Sequence, residues 1–288
     1  MKIAMTRERM MIDLHTHSRF SDGSDSPQAI IELAKAAGCL CVALTDHDRV
    51  DGVEIARARA EELGLGFVPG VEISCIYKTG TFHLLAYFLE PIQGPLQDRL
   101  ADIQNARTDR NRLLAAKLIE AGFPISWDEL IEEAGGLNLG RPHFAAVMLR
   151  KGIVASIQEA FDKYLAKGRP FYVPKVLLTP KEAIELAVSS NALPVLAHPK
   201  SLETQESELP SYLRELKEYG LVGVESYYGR YSKNERSSLA QLAGSLSLVA
   251  TGGSDYHGTY KTGLSIGTGE GDLEVPDSVL TELENRLK

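Results

Sequence analysis

The sequence predicts an α/β barrel interrupted by a block of helices, and three observations predict it. Short apolar or β-branched runs alternate with helical patterns through the first third of the chain and again towards its end. Between them, from about Leu96, helix follows helix and no segment is left for a strand. Six of the seven histidines, together with acidic partners, stand at or just past the ends of the predicted strands. In a closed barrel of parallel strands those ends share one face, so residues far apart in sequence can converge there.

Taken in order, Met11–Leu14 reads as a strand that leads into His15. Ser26-Pro27 then opens a helix, with serine as N-cap and proline at the first helical position, and Gly38 closes it. Leu40–Leu44 is the next strand, Val53–Leu63 a helix ending at Gly64, and 66–69 and 82–89 two further strands. The helical block holds ADIQNARTDRNRLLAAKLIEAG, WDELIEEAGG, RPHFAAVMLRKG and SIQEAFDKYLAKG. The parallel pattern returns after Thr179, which has capping-box spacing to Glu182, with strands at 193–197, 221–225 and 246–251. The expected organisation is a barrel built from residues 1–95 and 191–288, with residues 96–190 as a helical insertion.

Composition narrows the function classes. A net charge of -8 argues against a broad electrostatic grip on nucleic acid, although not against a small phosphorylated ligand. The charge is uneven: residues 96–190 carry 13 basic and 12 acidic side chains, the rest 18 and 27. No apolar run approaches the roughly 20 residues that span a bilayer, and MKIAMTRERMM has no apolar leader core, so a cytoplasmic protein is expected. Cys39, Cys41 and Cys75 form no C-x-x-C pair and leave an odd count, which argues against a disulfide framework.

The histidines carry the chemistry. They occur as His15-Thr16-His17, Asp46-His47, Phe82-His83, His198-Pro199 and Asp255-Tyr256-His257. Imidazole and carboxylate are natural ligands for zinc, manganese or iron, and a set this large can hold more than one ion. Asp22, in the Gly-Ser-rich loop after the first pair, adds a carboxylate, and Glu72 is a candidate bridging acid that can offer one oxygen to each of two cations. Asp13 and Asp46 lie one residue off the ligand positions, where they are expected to face away and to serve a ligand imidazole or the local structure.

DLHTHSRFSDGS, LTDHD, PGVEIS, FHLLAY, LAHP and GSDYH resemble the successive motifs of the PHP family, named for polymerase and histidinol phosphatase. The resemblance covers both flanking portions, about 190 residues, and lies nearest the branch that holds nucleoside 3′,5′-bisphosphate phosphatases and enzymes degrading short RNA from the 5′ end. It implies a distorted (β/α)7 barrel with a helical insertion and two or three divalent ions, manganese first and iron or zinc as alternatives. Mapped onto this chain, one ion would use His15, His17, Glu72 and Asp255. A second would share Glu72 and add His83 and His198, and a third would use Asp22, His47 and His257. The nucleophile would be a metal-activated water; no protein general acid is assigned.

The insertion offers the expected substrate grip. Arg107, Arg110 and Asn111 share one helix face, and Gly140-Arg141-Pro142-His143 places Arg141 and His143 at a helix start, where backbone N–H groups favour anions. Lys175, Arg230 and the pair Tyr227-Tyr228 are weaker candidates, and Trp127 is expected to pack in the core. The expected reaction is removal of the 3′-phosphate from a nucleoside 3′,5′-bisphosphate, with short RNA as a further substrate. Histidinol phosphate hydrolysis is the competing enzyme reading, and a non-catalytic metal or nucleotide-binding regulator is the competing class. No membrane and no protein partner are implied.

Overall fold

The computed structural model describes residues 11–88, 94–135 and 139–287. In chain order it contains β1 (Met11–Asp13), α1 (Pro27–Ala36), β2 (Cys39–Leu44), α2 (Val53–Leu63), β3 (Gly66–Cys75) and β4 (Phe82–Tyr87). Four helices follow: α3 (Pro95–Glu120), α4 (Trp127–Glu133), α5 (Arg141–Arg150) and α6 (Ile157–Ala160), the last running into a π-helical turn, Phe161–Leu165. The chain then continues through α7 (Pro180–Ser189), β5 (Leu193–Leu196), α8 (Leu209–Glu218), β6 (Gly223–Tyr228), α9 (Lys233–Ser245), β7 (Val249–Gly253) and α10 (Ser278–Glu284).

The strands lie side by side in sequence order and form one mixed sheet that nearly closes. Its ends approach where the Leu14 N–H donates to the Gly252 carbonyl at 3.2 Å and the Asp255 N–H to that of His15 at 2.9 Å. Strands β1 to β3 and β5 to β7 run parallel, but β4 is antiparallel to both neighbours. This corrects the all-parallel expectation. His83 stands at the start of β4, and only the reversal of that strand brings its start to the face where the other strands end.

Both faces of the sheet are covered, as parallel strands require. In β2, Cys41 and Ala43 join an interior cluster with Ile12, Leu14, Val68, Leu85 and Val195. Val42 and Leu44, alternating with them, pack outward with Ile30, Ile31 and Ala34 of α1 and Ala56 and Ala60 of α2. Helix α1 begins as its sequence dictates: the Ser26 side chain accepts from the Ala29 N–H, with Pro27 in the first turn. Tyr87 is fully buried and its hydroxyl donates to the Leu14 carbonyl at 2.8 Å, which ties β4 to the segment carrying the first histidines. The three cysteines are free and buried. Among the described residues no helix is long and apolar enough to cross a membrane.

The chain divides into two compact units, one running to Asp98 and resuming at Leu178, the other Arg99–Leu177. The division thus falls before α7, which packs on β4 and β5 of the strand-bearing unit, rather than after it. The second unit has its own core of Leu114, Leu118, Leu130, Phe144, Val147 and Met148, with Trp127 partly buried against it. Its fourth predicted helix is only partly α-helical: after Ala160 the backbone widens into the π turn.

Candidate metal centre

Each strand of the sheet delivers its polar residues to one place. After β1 the chain alternates, with the Thr16 hydroxyl donating to the Ala43 carbonyl of β2 while His15 and His17 point together to the other side. β7 crosses so closely behind them that a Cβ on Gly253 would lie 2.5 Å from both the Cβ and the backbone N of His15. His47 follows β2 and forms a bridge with Glu72, which sits inside β3 and is fully buried. His198 follows β5, and Asp255 and His257 follow β7. His198 and Asp255 hold φ values of 23° and 55°, a region that side-chain-bearing residues seldom adopt and that clusters at functional sites.

Glu72 is the hub. Its Oε2 lies 3.2 Å from His15 Nε2, 3.1 Å from His17 Nε2 and 3.2 Å from His47 Nδ1. Its Oε1 lies 3.0 Å from His83 Nδ1 and 2.9 Å from His198 Nε2. Asp255 Oδ1 closes the first group, at 3.5 Å from His15 Nε2 and 3.3 Å from His17 Nε2. Asp22 draws a third group together: its oxygens stand 3.3 Å from His257 Nε2 and 3.7 Å from both His47 Nε2 and His17 Nδ1. Three sets of ligand atoms therefore gather closely enough to hold an ion each: His15, His17, Glu72 and Asp255; His47, Glu72 and His83; and His17, Asp22, His47 and His257.

The residues fit such ions on a second count. Buried polar atoms in proteins are almost always paired. Here His15 Nε2, His17 Nε2, His47 Nδ1, His257 Nε2, Glu72 Oε2 and Asp255 Oδ1 are buried and have no hydrogen-bond partner, and all point into the same cluster. Two ligands bound at about 2.1 Å to one ion stand about 3.0–3.4 Å apart, close to the separations around Glu72 and Asp255, while Asp22 stands wider. The electrostatics agree. Burial opposes charge on both acids, yet the charges of His47, His15 and His83 hold Glu72 well below the usual carboxylate range, and His15 and His17 do the same for Asp255. Burial likewise disfavours charge on His15, but Glu225, Glu72 and Asp255 outweigh it and raise its pKa well above normal. His17 is pushed up to about 9 by Asp255 and Glu72 against burial, whereas burial wins at His47, which falls to about 3. These acids demand positive charge, which protons supply here and divalent cations can supply instead.

Behind these atoms lies a layer that sequence reasoning largely missed. Glu225, at 0 % exposure on β6, lies 2.9 Å from His15 Nδ1 through Oε1 and accepts the His198 N–H at 2.8 Å through Oε2. A carboxylate on the far nitrogen of an imidazole fixes which nitrogen is free to bind a metal. The Ser201 hydroxyl stands 2.8 Å from His198 Nδ1 in the same role. Asp13 does not reach an imidazole; it accepts the backbone N–H groups of His15, Ser254 and Gly267 at 3.2, 2.9 and 2.7 Å and so clamps β1 to the β7 end. Asp46 accepts from Ser18 N, Ser18 Oγ and Ser21 Oγ, fixing the loop that carries Asp22. Both have the local structural role rather than the imidazole-binding one.

In the Arg99–Leu177 unit, Arg107, Arg110 and Asn111 do share a face. Arg107 Nε donates to the Leu139 carbonyl at 3.4 Å, Asn111 Nδ2 to the same carbonyl at 2.6 Å, and Arg110 to Asn111 Oδ1 at 2.9 Å. Arg110 is buried, its Nε has no partner, and its pKa falls to about 10 through burial and the neighbouring charges of Arg107 and Arg141. Arg141 donates to the Leu165 carbonyl, which belongs to the π turn, and lies over the Tyr172 ring at 5.2 Å. The His143 ring accepts the Gly140 N–H at 3.0 Å and so caps its own helix. Of the weaker candidates, Tyr227 packs against the barrel core, Arg230 donates to the Thr262 carbonyl, and Tyr228 donates to Asp255 Oδ2 at 2.7 Å.

Comparison with known proteins bears on what these atoms do. The PHP domain profile matches residues 13–137. The chain is 32% identical over 254 residues to the 5′-3′ exoribonuclease Rnm of Salmonella typhimurium, covering 88% of this chain and 87% of the relative. It is 30% identical over 277 residues to the 3′,5′-nucleoside bisphosphate phosphatase of Chromobacterium violaceum, covering 96% and 97%. A solved structure assigned as a metal-dependent phosphoesterase from Bifidobacterium adolescentis superposes with a TM-score of 0.77 at 28% identity, over 96% of both chains. The chain belongs to the PHP family, and it is a metal-dependent phosphoesterase.

Proposed function

We propose that this enzyme removes the 3′-phosphate of nucleoside 3′,5′-bisphosphates to leave nucleoside 5′-monophosphates, and that the same centre shortens small RNAs from the 5′ end. The observation that carries the reading is the convergence of orphaned ligand atoms around Glu72. The substrate class rests on the two relatives named above, one a bisphosphate phosphatase and one an exoribonuclease. A bisphosphate has a second anionic group, and the crowded guanidinium groups of Arg107, Arg110 and Arg141, with Asn111 and His143 beside them, supply a matching charge. The helical unit is thus assigned to substrate binding.

In this reading His15, His17, Glu72 and Asp255 hold one ion; Glu72, His83 and His198 hold a second; and Asp22, His47 and His257 hold a third. Manganese is the first assignment, with iron and zinc as alternatives, since mixed imidazole and carboxylate sets admit all three and availability in the cell decides among them. Bound there, divalent ions supply a water ionised near neutral pH and positive charge against the phosphoryl oxygens. The chain's own contribution is geometric. Glu225 orients His15, Ser201 orients His198, and Asp46 steadies the Asp22 loop, so the ligand atoms are set before substrate arrives. The three unpaired cysteines suit a reducing compartment, which supports action in the cytoplasm.

The test is phosphate release by purified, manganese-reconstituted protein from adenosine 3′,5′-bisphosphate, histidinol phosphate and a 5′-labelled short RNA, each with a chelated control. Chelator-sensitive conversion of the bisphosphate to AMP is expected. Preference for histidinol phosphate would overturn the substrate assignment, and activity on none would overturn the reading.

A further inference from the structure

The centre opens into a cavity of about 300 Å³ whose wall includes His47, Glu72, His83, His198 and Asp255. Two lysines also reach that wall, Lys200 and Lys261. They differ in what holds them. The Lys200 ammonium pairs with Glu235, which is not among the ligand residues. The Lys261 ammonium lies 2.7 Å from Asp255 Oδ2, and its side chain keeps 37 % exposure.

We propose that Lys261 contacts the phosphoryl group being cleaved, held in place by Asp255 and Tyr228. An ammonium has three donors, and Asp255 is the single acceptor Lys261 meets among the described residues, so donors remain for a ligand oxygen. Asp255 divides its two oxygens: Oδ1 faces His15 and His17 without a hydrogen-bond partner, while Oδ2 takes both the Tyr228 hydroxyl and Lys261. The cation therefore stands one carboxylate away from the ligand cluster. Tyr228 donates to the same Oδ2, so Asp255 keeps a neutral donor there while the remaining Lys261 donors meet a ligand. Its position on the cavity wall suits a dianionic phosphoryl group, whose negative charge is spread over its peripheral oxygens as the ester bond breaks. Tyr228, edge-on to the His198 ring and tilted against that of Tyr231, is the positioning residue that keeps Asp255 turned.

This inference rests on the phosphoesterase centre proposed above. Its test compares Lys261→Met, Lys261→Arg, Tyr228→Phe and Glu72→Gln in the full chain loaded with manganese, reading metal content per chain, the inhibition constant of inorganic phosphate, kcat and KM. Lys261→Met should keep its metal, weaken inhibition by inorganic phosphate about tenfold and lower kcat about 100-fold, the order lost with one preorganised donor. Lys261→Arg should recover part of both, and Tyr228→Phe should fall between Lys261→Met and the parent. Unchanged phosphate inhibition in Lys261→Met would overturn the proposal, as would metal loss in step with activity, which would make Lys261 only a partner of Asp255. If Lys261→Met is fully active and Glu72→Gln inactive, the Lys261 assignment alone falls; if Glu72→Gln is also active, the centre itself is wrong.

Discussion

Nδ1 of His15 and Oε1 of Glu225 stand 2.9 Å apart, both at 0 % exposure, while the other oxygen of Glu225 holds the backbone of His198. One carboxylate thus orients a ligand from the first strand and a ligand from the fifth. Glu225→Gln keeps the shape but removes the charge that fixes the imidazole. We expect it to lose metal affinity by roughly 10- to 100-fold, with activity recovering as manganese is raised. A metal titration of activity checks this; an unshifted half-saturation point would show that Glu225 is dispensable.

Stripping the metal should cost stability as well as activity. The orphaned atoms around Glu72 would gain partners when ions bind. Ions held at 100 times their dissociation constant would add about 2.7 kcal/mol per independent site. A melting temperature measured with manganese and with chelator should therefore fall on chelation, and the fall should reverse on readdition. Identical melting curves would contradict the fit of these residues to ions.

Gly253→Ala is predicted to damage the centre without touching a ligand. Its new methyl would meet His15 at 2.5 Å and Asp13 Oδ1 at 2.9 Å. The rigid neighbours are backbone and Cβ, so His15 must move. Metal content should drop along with a destabilisation on the order of 1–3 kcal/mol from overpacking, read by urea unfolding. A fully loaded, equally stable variant would show that β7 can retreat.

The thiols should be silent in the native protein. Burial pushes Cys39 and Cys41 up to about 12 and raises Cys75 well above the usual thiol range. A raised pKa favours the protonated form in the folded state. That contribution to stability is complete below about pH 9 and is lost as pH climbs towards 12. A thiol reagent at pH 8 should label all three cysteines in urea and none within minutes under native conditions. Rapid native labelling would mean that the barrel opens locally around β2.

Much of this was legible in the sequence because the ligand motifs are local: His15-Thr16-His17 and Asp255-Tyr256-His257 each fit on one strand end, and Ser26, Thr179 and their neighbours announce helix starts. The direction of β4 was not legible. FHLLAY is apolar and covered on both faces, so its pattern is the same whichever way it runs. The place of Glu72 within a strand was hidden by the Pro69-Gly70 pair, which reads as a turn, whereas β3 runs straight through it. Glu225 escaped for a different reason. Its meaning lies in pairing with residues 210 positions and 27 positions away, and no spacing near it marks that. The π turn was equally silent, because FDKYL carries an ordinary helical pattern.

The reversed strand also sorts the chain into places that tolerate insertions and places that do not. Ser74 faces His83 and Ile73 faces Leu84, with the loop 76–81 between them. An extra residue in that loop only lengthens a turn. The same residue added inside β4 would move every later side chain to the opposite face, because strand residues alternate strictly. Added just before His83, it would turn the histidine from the cluster and bring Phe82 or Leu84 towards it. Length variation between relatives of this chain should therefore collect at the hairpin tip and spare the six residues that follow it.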